Sequence, residues 1–478
     1  MKRVFVKKKL VFIVLLFALK ANAQNLKYSS AILDSLVHSS MTKYQIPGMV
    51  IGLIENDSLT QVAYGFSNVQ NSSLTLISTT FELGSLSKQF TASAILLLQQ
   101  RGKLSVDDYI NTYIPNCPKS WDNIKIKHLI WHTSGLPGLF VRDNFKSKSF
   151  TGYSKMSSSQ LDRMMQSNFV SKELAFESIK SDKLDFQPGE KYNYSDVGYL
   201  LLGLIIDNIT GSYRDFMMNE IFISCGMMNT YILEQERVIP NQSRGYSLKN
   251  GNWINIMRTW DYEIPSFFGI FSNVNDLFKW YNVLFSNQLL NKESREFIFS
   301  NGYLSNGQKI NYGGGWNIQN IVNDKYVYHG GVTGVNYIIL PNKEIGIITL
   351  TNLGYNGNDP VGSLNVATEI LDTFNLRKRI NKDYITTNGS KVVNMSKKIL
   401  AGIIGEYETI DGIEASIYVE NDKPIFDCPA QGMKHQVALL DNNTLLVLDL
   451  DFEYTLKYDE NKKELTSNMY RTFKLKNN

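Results

Sequence analysis

The segment at residues 81–100, FELGSLSKQFTASAILLLQQ, predicts a helix that is apolar on nearly every side before Arg101-Gly102 ends it. A helix of this kind belongs in the middle of a folded domain. Residues 197–209, rich in Leu and Ile and followed by Thr210-Gly211, predict a second buried helix. Two buried helices need structure around them, so these segments indicate a layered globular domain.

Two β-hairpins are predicted, one on each side of these helices in the chain. Residues 48–55 and 59–64 are apolar runs around the polar turn Asn56-Asp57-Ser58. Residues 336–340 and 345–351 form a similar pair around a turn at 341–344. Strands at both ends with helices between them predict an α/β (α+β) domain whose sheet is closed by N- and C-terminal segments.

The chain is long enough for two structural units, since it has 478 residues and single cores stop growing near roughly 250–300 residues. Its 43% of apolar and 20% of charged residues are typical of globular proteins, which excludes disorder, collagen and coiled coil. Residues 378–397 turn polar and aperiodic, which predicts a linker. Short alternating runs beyond it predict a small antiparallel β-domain at 398–478. The larger domain then covers residues 24–377.

The positive charge of the chain is concentrated at its beginning. Residues 1–23 contain six of the 49 basic residues and no acid, so the rest has 43 basic against 45 acidic residues. This balance argues against nucleic acid as a partner. The cationic start, the apolar run at 10–19 and Ala21-Asn22-Ala23 predict a signal peptide at 1–23. An uncleaved anchor is the alternative, although ten apolar residues are too few to span a bilayer.

The mature protein is therefore expected to be exported, periplasmic or secreted from a bacterium, without an integral membrane segment. No Cys follows the apolar run, which argues against a lipoprotein. The three cysteines are far apart: Cys117, Cys225 and Cys428. They are interpreted as small core residues, although one pair could form. His128 and His132 have the spacing of a zinc pair, but Leu129 replaces the Glu of that motif, which argues against a metal site.

Ser85 and Lys88 stand three positions apart at the start of the apolar helix. Positions i and i+3 share a helix face, so the Lys88 amine can reach the Ser85 hydroxyl. A serine is a weak nucleophile until a base removes its proton, and a desolvated lysine can have a pKa low enough to help. The same spacing at Ser40 and Lys43 lies in an amphipathic, polar segment. Ser85 is the candidate nucleophile, with chance spacing as the alternative.

Two later motifs add candidates. Tyr194-Ser195-Asp196 leads into the second buried helix, where Tyr194 can accept or relay a proton if a cation lowers its pKa. The alternative is an aromatic residue packed at a helix start, with Asp196 as the N-cap. His329-Gly330-Gly331-Val332 stands between strand-like runs, and an amide there can hold an oxyanion. The alternative is a simple turn.

In this order, Ser85-x-x-Lys88, Tyr194-Ser195-Asp196 and His329-Gly330-Gly331 resemble the motifs of the serine β-lactamase and penicillin-binding-protein superfamily. The resemblance is to its class C-like branch of β-lactamases, DD-peptidases, esterases and D-aminopeptidases, over about residues 28–375. Secondary motifs agree: Ile46-Pro47-Gly48, the segment 128–137 (HLIWHTSGLP), Pro188-Gly189, Gly198-Tyr199, Leu201-Leu202-Gly203 and Gly226-Met227.

The resemblance implies an α/β/α sandwich with an antiparallel sheet, plus a helical subdomain, with the site between them. It implies that Ser85 attacks a carbonyl to give an acyl-enzyme without metal or cofactor, while Lys88 and Tyr194 move the proton. The backbone amides of Ser85 and Val332 would hold the oxyanion. The residues that it places on the substrate or oxyanion side are Asp196, His329, Gly330, Gly331 and Val332. The tail after about residue 396 resembles the lipocalin-like β-domain often appended to this branch.

Two departures from the family pattern change these expectations. Asp196 replaces the usual Asn, so a carboxylate is expected to raise the Lys88 pKa and shift base duty toward Tyr194. His329 replaces the commoner Lys, so a permanent positive charge for a substrate carboxylate is missing, which weakens the β-lactamase interpretation. The apolar segment at 267–272 either lines the cleft and favours apolar acyl groups or packs in the core.

The sequence therefore predicts an exported serine hydrolase that acts through an acyl-enzyme on an amide or ester: a D-amino-acid peptide, an ester or a β-lactam. Its partner is expected to be a small-molecule or peptide substrate, such as a cell-wall peptide. One alternative is a catalytically weak penicillin- or cell-wall-peptide-binding protein or sensor. Another places the function in the C-terminal β-domain, carried by a scaffold.

Overall fold

The computed structural model describes the residues 30–137, 170–234, 238–249, 251–255, 262–321, 324–354, 362–374, 376, 395, 397–409, 414–429, 433–440, 443–448, 454–467 and 472–476. The predicted signal peptide at 1–23 lies outside the described residues. The same is true of the predicted linker at 378–397, apart from residues 395 and 397.

The larger part of the chain mixes strands and helices. Its strands are β1 (Gly48–Glu55), β2 (Ser58–Asn68), β3 (Ser73–Leu74), β4 (Phe81–Glu82), β5 (Val170–Ser171), β6 (Tyr231–Ile232), β7 (Tyr246–Lys249), β8 (Asn252–Asn255), β9 (Tyr262–Glu263), β10 (Ile270–Ser272), β11 (Asn317–Ile321), β12 (Asp324–Gly331), β13 (Val335–Leu340) and β14 (Ile345–Thr351). Its α-helices are α1 (Ser30–Lys43), α2 (Ser87–Gln100), α3 (Ile126–Ile130), α4 (Lys172–Ile179), α5 (Asp196–Thr210), α6 (Tyr213–Phe216), α7 (Val274–Leu284), α8 (Lys292–Ile298) and α9 (Gly362–Thr373). None of the helices within the described ranges is long and apolar enough to cross a membrane.

The central sheet has seven strands in the order β11-β12-β13-β14-β1-β2-β3, and its neighbouring strands are antiparallel. Strands β1 and β14 pair in the middle of it, with Met49 opposite Thr351 and Glu55 opposite Ile345. The β1–β2 hairpin turns at Asn56 and Asp57, whose φ angles of 46° and 60° suit a type I′ turn. The predicted closure of the sheet by N- and C-terminal segments is confirmed.

The sheet is covered on both faces, as the α/β/α prediction requires. On one face Val50 and Ile54 join the apolar cluster that contains α2, α5 and α7. On the other face Met49, Ile51 and Leu53 join a second cluster with α1 and α9. Successive side chains of a strand point to opposite faces, so a strand buried on both faces needs an unbroken apolar run. This explains the continuous apolar sequence of β1.

Both predicted buried helices are present, although the first begins later than expected. Phe81-Glu82 forms β4, residues 84–86 form a 3₁₀ turn, and α2 starts at Ser87. Every side chain of α2 from Ser87 to Leu98 is buried. Helix α5 ends at Gly211, whose φ of 88° suits a left-handed C-terminal residue.

The C-terminal part is a closed antiparallel barrel of eight strands. They follow α10 (Lys397–Ile403) and are β15 (Gly405–Thr409), β16 (Glu414–Glu420), β17 (Lys423–Cys428), β18 (Met433–Leu439), β19 (Thr444–Val447), β20 (Tyr454–Asp459), β21 (Glu464–Ser467) and β22 (Thr472–Leu475). The barrel has its own apolar core. Leu446 and Leu448 instead belong to the second cluster, which lies on the face of the central sheet covered by α1 and α9, here called the outer face. The barrel and the larger part therefore share apolar packing.

Candidate active site

Ser85 lies in the 3₁₀ turn that leads into α2, and its hydroxyl is directed at the first turn of that helix. Lys88 Nζ donates to Ser85 Oγ at 3.1 Å. Two hydrogen bonds to Ile270 hold the turn in place. The Leu83 N–H donates to the Ile270 carbonyl, and the Ile270 N–H donates to the Ser87 hydroxyl. The structure thus brings together the serine and the lysine that the sequence singled out.

Lys88 is fully buried, and each of the three hydrogens of its ammonium group has an acceptor within reach. Besides Ser85, its Nζ lies 2.6 Å from Asp196 Oδ1 and 3.4 Å from the Phe267 carbonyl oxygen. The Asp196 side chain is only 7% exposed. The structure therefore shows a buried ion pair directly behind the serine. Helix α5 begins at Asp196 and Ser195 holds the N-cap position, so the interpretation of Asp196 as the N-cap was wrong.

The expected rise in the pKa of Lys88 is not found. Burial lowers the pKa of Lys88 below its ordinary value, and the neighbouring Asp196 carboxylate opposes this effect without overcoming it. The amine is out of contact with water, and a charged group without hydration is costly. The sequence identified the carboxylate correctly but could not show how completely the lysine is enclosed.

Tyr194 lies beside this pair with its ring 4.9 Å from Lys88 Nζ. The pKa of Tyr194 is raised well above its ordinary value by burial and by the Asp196 carboxylate, while a hydrogen bond with Ser85 lowers it less. The residue keeps 36% of its surface exposed at the cleft. Its protein surroundings nevertheless favour the neutral phenol. The condition set for Tyr194 as a proton acceptor, a pKa lowered by a cation, is therefore not met, and at neutral pH Tyr194 holds its proton.

The end of β12 approaches the serine turn closely. A Cβ on Gly331 would lie 2.3 Å from the Leu83 carbonyl oxygen, and a Cβ on Gly84 would lie 3.4 Å from Val332 N. Gly84 also has a φ of 53°, which favours glycine. Thr333 Oγ1 fastens the contact by donating to the Glu82 carbonyl at 2.6 Å. The Val332 amide thus lies next to the turn that carries Ser85.

His329 is buried at the same strand end, next to Gly330. Its Nδ1 lies 2.8 Å from the Gly330 carbonyl oxygen, which can only accept, so Nδ1 carries the hydrogen. Its Nε2 then accepts from the Tyr312 hydroxyl at 3.0 Å. Burial and the nearby Lys88 charge lower the pKa of His329 to about 3. His329 is therefore neutral at pH 7 and supplies no charge for a substrate carboxylate.

Two aromatic residues of the site were not recognised as such in the sequence. His132, considered only as half of a zinc pair, is buried with its ring 4.2 Å from Tyr194 and 4.6 Å from Tyr312. Its Nδ1 accepts from Ser195 N–H at 3.1 Å. Tyr312 precedes Gly313-Gly314-Gly315, and this run of glycines is the sequence signal that was missed. In the structure Gly315 packs so closely that a Cβ would lie 2.6 Å from Gln89 Cα.

The remaining alternatives also have definite places. Ser40 and Lys43 do not form a pair, because both contact the Glu369 carboxylate. Phe267 and Phe268 are buried in the main apolar cluster, as the core-packing alternative for this segment expects. The Phe267 backbone carbonyl still reaches Lys88. No group of three metal-binding side chains occurs among the residues that the structure describes.

The chain is similar to known proteins over most of its length. The family model described as Beta-lactamase matches residues 33–368. Penicillin-binding protein 4* of Bacillus subtilis (strain 168) is 26% identical over 457 residues, which are 90% of this chain and 94% of that protein. Protein flp of Staphylococcus aureus (strain COL) is 26% identical over 340 residues, which are 67% of this chain and 62% of flp.

Solved structures share the fold. The octameric penicillin-binding protein homologue from Pyrococcus abyssi has a TM-score of 0.60 at 22% identity, over 94% of this chain and 100% of that one. EstCE1, a hydrolase with promiscuous acyltransferase activity, has a TM-score of 0.55 at 16% identity, over 70% of this chain and 97% of that one. With the family match over most of the larger part and an eight-stranded barrel after it, the chain belongs to the beta-lactamase family of serine hydrolases.

Proposed function

We propose that this protein is an exported serine hydrolase that forms an acyl-enzyme at Ser85 with an amide or ester substrate. The observation that carries the proposal is the contact of 3.1 Å between Ser85 Oγ and the buried Lys88 Nζ. A nucleophilic serine needs a neighbouring group that can take its proton, and an amine whose charged form is destabilised by burial suits that task. Ser85 itself is only partly buried, so a substrate can reach it.

The surrounding groups suit the later steps of acyl transfer. As Ser85 Oγ attacks the carbonyl carbon, the carbonyl electron pair moves to its oxygen. The backbone amides of Ser85 and Val332 are proposed to hold that oxyanion, because the Val332 amide lies against the serine turn. Tyr194, a neutral phenol, is proposed to donate a proton to the leaving group and to recover one from the proton that Ser85 released. Water then attacks the acyl-enzyme in the same way.

The state of His329 bears on the substrate class. A neutral, buried histidine in place of a lysine gives no fixed positive charge for a substrate carboxylate at this strand end. Among D-amino-acid peptides, esters and β-lactams, we therefore favour esters and other acyl compounds without a carboxylate near the scissile bond. Esters also have the better leaving groups, so they need less assistance from the protein.

Steady-state hydrolysis tests this proposal. We expect p-nitrophenyl esters to be turned over by the wild type and by Ser40→Ala, and the Ser85→Ala variant to lose at least about a thousandfold in kcat/KM. Ser40→Ala is a matched control, because Ser40 has the same spacing to a lysine. A chromogenic β-lactam and a D-alanyl-D-alanine peptide are compared in the same assay. Turnover that survives in Ser85→Ala would refute the proposal.

One alternative keeps the cleft but not the turnover. The buried Lys88–Asp196 ion pair suits a catalytically weak binding protein if it holds the lysine permanently charged. Such a protein would form a Ser85-linked penicilloyl adduct that persists for hours and would hydrolyse none of the esters. The same assay, with intact mass measured beside product release, separates the two functions.

Export is proposed on the sequence of residues 1–23 alone. Removal of the predicted signal peptide would leave Gln24 as the first residue of the mature protein. Expression in a bacterial host followed by N-terminal mass analysis of the periplasmic fraction checks this. A protein recovered from the cytoplasm with Met1 or Lys2 at its start would contradict export.

A further inference from the structure

We propose that Asp196 accepts the proton of Ser85, acting through Lys88, so that the lysine is a relay between the serine and a carboxylate. The inference rests on the proposed acyl transfer at Ser85 and names the group that drives it. In the family pattern this position is an Asn, which cannot take up a proton. A carboxylate here therefore provides chemistry that the Asn residue does not.

The three groups form a continuous chain of contacts. Ser85 Oγ lies 3.1 Å from Lys88 Nζ, and Lys88 Nζ lies 2.6 Å from Asp196 Oδ1. The third acceptor of the Lys88 amine is the Phe267 carbonyl oxygen at 3.4 Å. An ammonium group has no lone pair, so it must release a hydrogen before it can take one from Ser85. A backbone carbonyl does not keep a transferred proton, which leaves Asp196 as the acceptor.

The other titratable groups near Lys88 are poor substitutes. Facing Lys88 or interacting with its charge are Tyr194 from the loop before α5, Tyr199 from α5, His132 after α3 and His329 from β12. The two tyrosines have pKa values raised well above the ordinary value, so both are already protonated. The two histidines have pKa values lowered by burial and by Lys88, so both resist a proton.

Burial favours the transfer from the lysine to the carboxylate. The Lys88 side chain is 0% exposed and that of Asp196 is 7% exposed. Moving one proton converts two buried charges into two neutral groups, which removes the cost of keeping ions away from water. Among the described residues no hydrogen bond is formed to Asp196 Oδ1, and Lys88 Nζ lies 2.6 Å from it as its ion-pair partner.

The step balances within these three residues. Lys88 Nζ gives a hydrogen to Asp196 Oδ1, and the free amine lone pair takes the hydroxyl hydrogen of Ser85. The Ser85 oxygen then forms its bond to the acyl carbon, while the carbonyl electrons move to the oxyanion. Asp196 ends as a carboxylic acid, and its proton returns by the same route to the leaving group through Lys88 and Tyr194.

The pH dependence of kcat/KM with a p-nitrophenyl ester tests the relay, because kcat/KM reports the ionisation of the free enzyme. In the wild type the proton stays inside the pair, so kcat/KM is expected to be flat between about pH 6 and pH 9. In Asp196→Asn the lysine has to release its proton to water. Below the Lys88 pKa, kcat/KM of this variant is expected to fall about tenfold for each pH unit.

Asp107→Asn is the matched control, because the exposed Asp107 carboxylate contacts Lys127 Nζ at 2.7 Å outside the chain of Ser85, Lys88 and Asp196. This variant should leave the profile flat. A wild-type kcat/KM that itself climbs about tenfold per pH unit would overturn the relay, since it would show that Lys88 must lose its proton to water. Identical profiles for wild type and Asp196→Asn would overturn it too. If Asp196→Asn does not fold, the pH profile of kcat/KM for the wild type alone tests the relay: a flat profile supports it and a rise of about tenfold per pH unit overturns it. A wild type without Ser85-dependent turnover would instead refute the proposed function.

Discussion

Lys88 and His329 show how burial sets the chemistry of single residues here. Both side chains are enclosed, and both have pKa values below their ordinary values for that reason. In the proposed mechanism the lowered pKa makes Lys88 a better proton relay, whereas His329 is a neutral hydrogen-bonding group held by Tyr312 and Gly330. The same physical cause thus gives one residue a role with protons and removes charge from the other.

The buried His329 makes the stability of the protein depend on pH. Its pKa is about 3 in the folded protein and about 6.5 in an unfolded chain. Between these values the unfolded chain binds a proton that the folded protein does not, so the free energy of unfolding falls as the pH falls. The loss for this residue is about 1.4 kcal/mol per pH unit below about pH 6.5.

Chemical denaturation at a series of pH values checks this prediction. The His329→Gln variant, which keeps a hydrogen-bonding side chain, should lose stability less steeply between about pH 6 and pH 4, by one proton in the slope. The prediction fails if the free energy of unfolding falls with pH at the same slope in the wild type and in the variant. A variant that is merely less stable at every pH would not change the slope.

At this scale the sequence predicted the residues better than their ionisation. Ser85 and Lys88 share one helical turn, so their contact follows from spacing, and Tyr194 and His329 follow from motifs. The pKa of Lys88 depends on α2, α5 and the Phe267 segment together, and spacing carries no measure of such enclosure. Tyr312 was missed because it lies 17 residues from its partner His329 in the sequence, so no local pattern shows that their side chains are in contact.

Among the elements, the contact between β12 and the serine turn positions the site. Gly331 and Gly84 allow the strand end to touch the turn, and Thr333 binds the Glu82 carbonyl across the join. The strand end is where the Val332 amide lies, so a displacement of the strand end would move that amide relative to the serine turn. The position of the amide is thus set by the contact between two elements rather than by any one side chain.

Substituting Gly331→Ala tests that contact. The new Cβ would lie 2.3 Å from the Leu83 carbonyl oxygen, a backbone atom that cannot rotate away. We expect a loss of about 1–3 kcal/mol in the free energy of unfolding and at least about a tenfold loss in kcat. Thermal melting and ester hydrolysis measure the two effects.

Gly402→Ala provides the control, because Gly402 lies in α10 with nothing within 4 Å of a new Cβ. That variant should be as stable as the wild type or more so, by up to about 1 kcal/mol. Equal activity and melting temperature for Gly331→Ala and Gly402→Ala would contradict the account of the strand contact.

Most elements were predictable, and the exceptions have a physical reason. The apolar runs of β1, α2, α5 and β14 are long and buried, so their type follows from composition. The start of α2 was placed too early because Phe81-Glu82 pairs with β10, a partner almost two hundred residues away in the chain. Long-range pairing of this kind leaves no local signal.

For the whole molecule, the shared packing of barrel and larger part is the feature that the sequence did not show. Leu446 and Leu448 of the barrel region belong to the same apolar cluster as α1, α9 and the outer face of the sheet. This apolar interface is packed like the core of a domain and unlike a flexible hinge. The interpretation of the C-terminal part as a separable module on a scaffold can therefore be tested, because it requires that removal of this part leaves the stability of the larger part unchanged.

We predict that a chain truncated after residue 396 melts at a lower temperature and aggregates more readily than the full chain, because truncation exposes the outer face of the sheet to water. Calorimetry on both chains measures this. The point variant Leu446→Ala should cost about 2–5 kcal/mol without removing the barrel. An unchanged melting temperature and full ester hydrolysis in the truncated chain would support the module interpretation instead.

The central claim is that Ser85 forms a covalent acyl-enzyme, and mass spectrometry of acid-quenched reactions tests it most directly. Wild type, Ser40→Ala and Ser85→Ala are each mixed with a p-nitrophenyl ester and with a fluorescent penicillin, then digested and mapped. The account predicts one acyl group per chain on the peptide that contains Ser85, in wild type and Ser40→Ala alike, and none in Ser85→Ala. An acyl group on any other residue, or an unmodified Ser85 during turnover, would contradict it.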